Sequence, residues 1–122
     1  MITVEPGSAV APFEQIRSQL ADAIRAGELS DGRRLPSIRQ LAGDLRVAAG
    51  TVAKAYALLE EDGLVETSRA SGTRVRAGHT YPDVVREAAR AFTAAAGGLT
   101  LDQALGAVRA AWGGSRGPHD SQ

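Results

Sequence analysis

Three stretches in the first half of the chain carry apolar residues at the spacing of a helix. The first stretch begins at Pro12, which suits the first turn of a helix, and ends at Gly27, which favours a helix end. Its apolar positions are Phe13, Ile16, Leu20 and Ile24. Residues 1–11 precede it as a predicted extended arm with a turn at Pro6-Gly7-Ser8.

The second and third predicted helices are separated by only about three residues, which is the spacing of a helix-turn-helix. The segment Ser37-Ile38-Arg39-Gln40 has the form of a capping box and starts the second helix, which ends near Arg46-Val47. The third helix is predicted from about Ala49 to Asp62, before Gly63. Its predicted core stripe consists of Val52, Ala55, Tyr56 and Leu59.

A β-hairpin is predicted directly after the third helix. The first predicted strand covers residues 64–67, and the second covers residues 73–76, where polar and apolar residues alternate. The segment between them, from Ser68 to Gly72, is polar and typical of a turn. Three helices followed by a hairpin is the order of a winged helix-turn-helix domain. We therefore predict such a domain over residues 1–77, within a chain that is mostly α with one small hairpin.

Alanine-rich helical sequence follows from residue 78. Pro82 precedes one helix, Gly97-Gly98 breaks it, and the capping box Thr100-Leu101-Asp102-Gln103 starts another. Two amphipathic helices cannot cover both of their own apolar stripes, so we predict that residues 78–113 pack against a second copy of the chain. The alternative is that they pack on their own winged domain. The predicted interface consists of Val84, Val85, Ala88, Phe92, Leu101, Leu105, Val108 and Trp112. A disordered tail is predicted over residues 114–122.

The composition excludes several kinds of site. The chain has no cysteine, so it has no disulfide, thiolate metal site or cysteine nucleophile. His79 and His119 lie in the predicted linker and tail without catalytic partners nearby, and the contiguous Glu60-Glu61-Asp62 favours a solvated helix end over a metal site. We predict no enzyme activity, no cofactor and no metal. Because no signal peptide or membrane-spanning stretch is recognisable, we expect a cytoplasmic protein without a membrane partner.

Charge is distributed unevenly, although 14 basic and 14 acidic residues balance over the whole chain. The stretch from Arg33 to Lys54 contains five basic residues and the lone acid Asp44. A second basic group consists of Arg69, Arg74 and Arg76. One basic face and a solvated mixture of charges are both compatible with this pattern.

The start of the third helix is the predicted recognition surface, because that part of a helix-turn-helix enters the major groove. Ala48, Ala49 and Gly50 are small enough for close approach to base edges, and they could also simply begin a helix. Thr51 can bond a base or a phosphate and touch a thymine methyl, and Lys54 can bind a phosphate or guanine. Tyr56 should face the core, although its hydroxyl could reach a phosphate.

Further DNA contacts are predicted around this surface. Arg34 and Ser37 are placed near the N-terminus of the second helix, where free N–H groups favour a phosphate, and Arg39 on its polar side. The hairpin tip, Arg69-Ala70-Ser71-Gly72, could place Arg69 in the minor groove or on the backbone. Each arginine could equally be a solvated surface charge.

Residues 12–76 resemble the GntR family of winged-helix regulators. The resemblance is carried by PFEQIRSQLADAIRAGEL, GRRLPSIRQLAGDLRV, GTVAKAYALLEEDGLVE and SGTRV, and the short helical C-terminal region resembles the YtrA subfamily. It implies a homodimer that binds double-stranded DNA at an inverted repeat and usually acts as a repressor, often of a neighbouring transporter operon. Carried over by position, the family's DNA contacts are Arg34, Ser37, Arg39, Thr51, Lys54, Tyr56, Arg69, Gly72 and Thr73.

The chain departs from the family pattern at the recognition helix and at the hairpin tip. Ala49 stands where many members have a base-reading arginine, Ala48 where serine or threonine is frequent, and Ala70 where many have glycine. Base recognition then falls to other residues, Thr51 or Arg39 among them. The same departures support an alternative function, a winged-helix protein-interaction module without specific DNA binding. A small-molecule effector is possible: the C-terminal helices are too small to enclose a typical ligand pocket by themselves, but a dimer interface could form one.

Overall fold

Five helices and one hairpin follow each other in the computed structural model, which describes residues 2–116. The helices are α1 (Pro12–Arg25), α2 (Ile38–Leu45), α3 (Ala49–Glu61), α4 (Asp83–Ala95) and α5 (Leu101–Arg116). The strands are β1 (Val65–Ser68) and β2 (Gly72–Val75), which pair antiparallel with Ser68 opposite Gly72. This confirms the predicted fold class. The chain divides into two compact units after Pro82.

The core of the first unit lies between α1, α2, α3 and the hairpin. The predicted stripe of α3 is confirmed, since Val52, Ala55, Tyr56 and Leu59 are its buried residues. Burying side chains of this size contributes about 1.5–3 kcal/mol each, so α1 and α3 form the rigid base of the unit. The other buried residues are Ile16, Leu20, Ala21, Ile24, Leu35, Leu41, Ala42, Leu64, Val65 and Val75.

Two glutamine side chains of α1 hold the N-terminal arm. The Gln19 amide accepts from the N–H of Thr3 (3.0 Å) and donates to its carbonyl (2.7 Å). Gln15 forms the same pair of bonds with Glu5 and donates to the Val10 carbonyl as well. The arm is extended with a turn after Glu5, as predicted, and its side chains Ile2 and Val4 pack against the core.

A short extended segment before α2 pairs with strand β2 of the hairpin. The Leu35 N–H donates to the Thr73 carbonyl (2.8 Å), and the Val75 N–H donates to the Arg33 carbonyl (2.9 Å). Arg34 and Arg74 thereby form an antiparallel bridge. The sequence pattern does not predict this pairing, since three residues are too few to show an alternation.

All three helices of the first unit end in the same backbone motif. A residue in the left-handed conformation follows the helix, and two N–H groups return to its last carbonyls. After α1 and α3 that residue is Gly27 (φ 81°) and Gly63 (φ 78°). After α2 it is Arg46, with φ 58° and ψ 46°.

The second unit consists of α4 and α5. The capping box at the start of α5 forms both of its bonds, from Thr100 N–H to Gln103 Oε1 (3.0 Å) and from Gln103 N–H to Thr100 Oγ1 (3.2 Å). α5 continues to Arg116, so the predicted disorder from residue 114 is wrong for residues 114–116. A growing helix adds a hydrogen bond per residue, which carries it through Gly113-Gly114. The rest of the predicted tail, with His119, lies outside the described residues.

Candidate nucleic-acid interface

The start of α3 forms a smooth, exposed surface. Ala48 is the N-cap residue in extended conformation, and its side chain offers no capping bond. Ala48, Ala49 and Gly50 are all exposed. The first N–H groups of a helix lack internal partners, so this surface presents backbone donors with almost no side chain around them.

Gly50 has no structural reason to be glycine. Its φ is not positive, and a β-carbon built on it would meet no atom within 4 Å. Glycine inside a helix costs about 0.5–1 kcal/mol relative to alanine. Because the fold gains nothing from the missing side chain, the residue fits a role in which another molecule approaches the backbone closely.

Lys54 lies one turn further along α3 and is held against α1. Its Nζ lies 4.0 Å from the centroid of the Phe13 ring, which is a cation–π distance. The residue remains exposed, so its ammonium keeps donors for an outside acceptor. Thr51, between Gly50 and this pair, is half-buried.

The N-terminus of α2 supplies a hydroxyl and a cation. Ser37 Oγ accepts the Gln40 N–H at 3.1 Å, the serine half of the predicted capping box. Its hydroxyl proton is still available, so it can donate to a phosphate oxygen. Arg39, two residues further on, is exposed, as the polar-face prediction requires.

Arg34 connects the segment before α2 with the hairpin. A β-carbon built on Gly72 would lie 3.0 Å from Arg34 Nε and 3.3 Å from Nη2, so the guanidinium lies directly over this glycine. Gly72 also has φ 68°, where a side chain is strained. The sequence pattern predicts Arg34 at the helix N-terminus, whereas the structure places it beside the hairpin, because Arg33–Leu35 pairs with β2.

The hairpin tip is ordered by short hydroxyl bonds. Ser68 Oγ accepts the Ser71 N–H at 3.0 Å and lies 2.6 Å from Ser71 Oγ. Thr67 and Thr73 face each other across the strands, with their Oγ1 atoms 2.9 Å apart. These contacts fix the loop while Arg69 and Ala70 at its tip stay exposed.

The cations of this surface are not neutralised by the protein. Within residues 2–116, no carboxylate lies within 4.0 Å of the predicted contact residues Arg34, Arg39, Lys54 and Arg69. The acids of α3 lie at its other end, about 16 Å from Gly50 by the helical rise. Asp62, the C-cap residue of α3, lies 3.9 Å from Arg17 of α1. The positive charge of these four side chains is therefore available to an outside partner.

Tyr56 does not belong to this surface. It is 4% exposed, and its hydroxyl donates to the Pro36 carbonyl at 2.7 Å. A phosphate oxygen can only accept, so a phosphate contact would have to take this one proton. Burial raises the pKa of Tyr56 to about 12, which keeps the proton in place. The core-facing prediction is confirmed, and the geometry does not support the phosphate contact.

The sequence pattern does not reveal the structural roles of Phe13 and Arg74. Phe13 appeared only as a core position, because no local pattern relates it to a lysine on another helix. Arg74 was counted with the basic group, yet its Nη1 donates to the Gly32 carbonyl at 2.9 Å and ties the hairpin to the scaffold. Both roles depend on contacts between residues far apart in the chain.

Residues 2–116 contain neither a candidate membrane-spanning helix nor a cluster of metal-binding side chains. No helix there is long and apolar enough to cross a membrane. The histidine, aspartate and glutamate side chains of this part form no group of three that could hold a metal ion.

Comparison with known proteins bears on this surface directly. The profile of the bacterial regulatory proteins of the gntR family matches residues 12–75. The transcriptional regulator Rv1152 of Mycobacterium tuberculosis is 43% identical over 95 residues, which cover 76% of this chain and 78% of the relative. The transcriptional repressor YtrA of Bacillus subtilis is 39% identical over 75 residues, which cover 62% of this chain and 58% of the repressor.

A solved structure extends the similarity beyond the winged domain. YtrA of Sulfolobus acidocaldarius, a GntR-family transcription factor, has a TM-score of 0.58 and 32% sequence identity to this chain. The similarity covers 80% of this chain and 98% of that one. With the exposed helix start and its unneutralised cations, these findings identify the chain as a DNA-binding transcription regulator that belongs to the GntR family, among its YtrA-like members.

Proposed function

We propose that the chain binds an inverted-repeat operator in double-stranded DNA as a homodimer and represses transcription from it. The observation that carries the proposal is the exposed, nearly side-chain-free start of α3, in a unit whose predicted contact cations are not neutralised by any carboxylate within residues 2–116. DNA offers acceptors at the base edges and negative charge along the backbone. The surface is complementary to both.

In this proposal the predicted contacts divide into two groups. Ala48, Ala49, Gly50 and Thr51 approach the base edges, where backbone and hydroxyl donors can reach acceptors in the groove. The phosphate contacts are assigned to Ser37, to the predicted contact cations and to the exposed residues of the hairpin tip, with Gly72 and Thr73 shaping the hairpin. The members of this second group are Arg34, Ser37, Arg39, Lys54, Arg69, Ala70 and Ser71.

The apolar faces of α4 and α5 support the homodimer. Phe92 is 38% exposed, Trp112 59% and Leu101 75% in the single chain. α4 contains no buried residue in the described structure. A second copy would cover these faces symmetrically, and would place two recognition helices about 34 Å apart, one turn of DNA.

Repression is proposed from the similarity to the Bacillus subtilis repressor YtrA. A dimer bound to an operator that overlaps a promoter would sterically block the binding of RNA polymerase. We assign no effector, and the proposed dimer interface could form a site for one.

The test is selection of bound fragments from genomic DNA with the purified protein, followed by titration over a range of salt concentrations. We expect an inverted repeat, and an affinity that falls linearly on a log–log plot of binding against salt. Lys54→Ala should reduce the slope by about 0.9 for each phosphate that the lysine neutralises in the wild type. Thr51→Ala should change preference among sequences more than the slope.

Two outcomes would contradict the proposal. Equal affinity for selected and random DNA at physiological salt would remove specific binding and favour a protein-interaction module. An operator-bound complex containing a single chain would remove the homodimer. A reporter gene behind the selected fragment decides repression, since transcription should rise when the protein is deleted.

A further inference from the structure

Arg46 is an exception among the helix ends of the first unit. The motif after α2 closes with bonds from Val47 N–H to the Ala42 carbonyl (3.0 Å) and from Arg46 N–H to the Gly43 carbonyl (3.3 Å). The motifs after α1 and α3 close in the same way, with glycine at the left-handed position. Within residues 2–116, Arg46 is the only residue other than glycine at positive φ.

The left-handed backbone makes arginine an unfavourable choice at this position. Its β-carbon crowds the neighbouring carbonyl, which glycine would avoid. Sparsely populated backbone conformations of this kind concentrate at functional sites. The charge of Arg46 is favourable near the carbonyl end of α2, but the same benefit exists after α1 and α3, where glycine is found.

No polar contact within residues 2–116 explains why an arginine stands at position 46. It is exposed, and in the described part of the chain no hydrogen bond or ion pair involves its guanidinium. Its place in the chain is two residues before Ala48, the N-cap of α3. Arg46 is therefore the long cationic side chain nearest in sequence to the short residues Ala48, Ala49 and Gly50.

We infer that Arg46 is a DNA-contacting residue, which supplies from the turn between α2 and α3 the long donor that the start of α3 lacks. The inference rests on the proposed function. An arginine fork can hold a phosphate, or it can bind O6 and N7 of guanine. Lysine replaces arginine better as a point charge at a phosphate than as a fork at a base.

The experiment compares Arg46→Gly, Arg46→Asn and Arg46→Lys on the fragment selected by the wild type. Glycine and asparagine both tolerate the left-handed backbone, so these variants should fold with a thermal midpoint equal to or above that of the wild type. We expect about tenfold weaker binding for both, and a salt slope reduced by about 0.9 for each phosphate that Arg46 neutralises. If Arg46 reads guanine instead, the slope should stay near that of the wild type while discrimination among base substitutions in the fragment falls about tenfold.

The lysine variant separates the two forms of contact. If Arg46→Lys restores the wild-type affinity and salt slope, Arg46 contacts a phosphate. If Arg46→Lys discriminates among bases as poorly as Arg46→Gly, Arg46 contacts guanine. Arg25→Ala is the matched control, since Arg25 is an arginine in the last turn of α1, about 18 Å along that helix from Phe13. The Arg25→Ala variant should bind DNA with the affinity and the salt slope of the wild type.

The possible failures can be told apart. If Arg46→Gly and Arg46→Asn bind with wild-type affinity, slope and base preference while Lys54→Ala is weakened, the inference is wrong and the proposed function stands. If the wild type selects no sequence, both are wrong. Equal weakening by Arg25→Ala would attribute the effect to general charge and would also overturn the role of Arg46.

Discussion

The hydroxyl of Tyr56 donates a 2.7 Å hydrogen bond to the carbonyl of Pro36. The bond ties the middle of α3 to the residue that precedes Ser37, the N-cap of α2. It therefore fixes the start of α2 relative to the middle of α3. In the proposed interface, this buried tyrosine positions the two helices relative to each other.

Tyr56→Phe removes this bond and keeps the ring. We expect the free energy of unfolding to fall by about 1 kcal/mol, the usual net value of a hydrogen bond. Denaturant unfolding followed by circular dichroism measures the change. An unchanged unfolding midpoint for Tyr56→Phe would show that the bond does not stabilise the fold.

The same tyrosine predicts a loss of stability in alkali. An unfolded tyrosine ionises near pH 10, whereas burial raises the pKa of Tyr56 in the folded chain to about 12. The raised pKa leaves stability intact below pH 10 and reduces it as the pH rises towards 12, because only the unfolded chain releases the proton easily. Unfolding midpoints measured from pH 8 to 12 should fall more steeply for the wild type than for Tyr56→Phe. Parallel curves would contradict the assignment.

Gly50→Ala should separate folding from DNA binding. The added β-carbon meets no atom within 4 Å, so the variant should be more stable by about 0.5–1 kcal/mol. Binding to the selected fragment should weaken, because the methyl group occupies the surface that approaches the bases. The matched control is Gly43→Ala in α2, whose β-carbon is equally free of contacts. It should stabilise the fold and leave DNA affinity nearly unchanged. Unweakened binding by Gly50→Ala would place the base edges farther from α3.

Gly72→Ala should displace the guanidinium of Arg34. The new β-carbon would lie 3.0 Å from Arg34 Nε on a backbone with φ 68°, so we expect destabilisation of about 1 kcal/mol or more. DNA affinity should fall because Arg34 loses its position. The double variant Gly72→Ala/Arg34→Ala should lose less affinity than the sum of the single variants, since the two residues act together. Strict additivity would show that the contact does not position Arg34.

Leu105→Glu tests the apolar face of α5. Leu105 is 45% exposed in the single chain, so a charge there is harmless unless a partner covers it. We expect sedimentation to change from dimer to monomer and operator affinity to fall sharply. Glu87→Gln, a substitution of similar size at an exposed position of α4, is the control for mass and shape. A dimeric Leu105→Glu protein would place the interface elsewhere.

The helices could be predicted from the sequence because their causes are local. Helical spacing of apolar residues located the buried stripe of α3, and the Thr100–Gln103 capping box marked the start of α5. The glycines after α1 and α3 marked helix ends for the same reason. Local hydrogen bonds and side-chain periodicity do not depend on the rest of the chain.

The joining of these elements into an interface was decided by the tertiary structure. The strand-like pairing of Arg33–Leu35 with β2, the position of Lys54 over Phe13 and that of Arg34 over Gly72 all involve residues distant in sequence. Their geometry depends on how α1, α3 and the hairpin pack, and packing is a property of the whole core. The residue types available for DNA contact were thus readable from the chain alone, whereas folding decided which of them remain exposed and unneutralised.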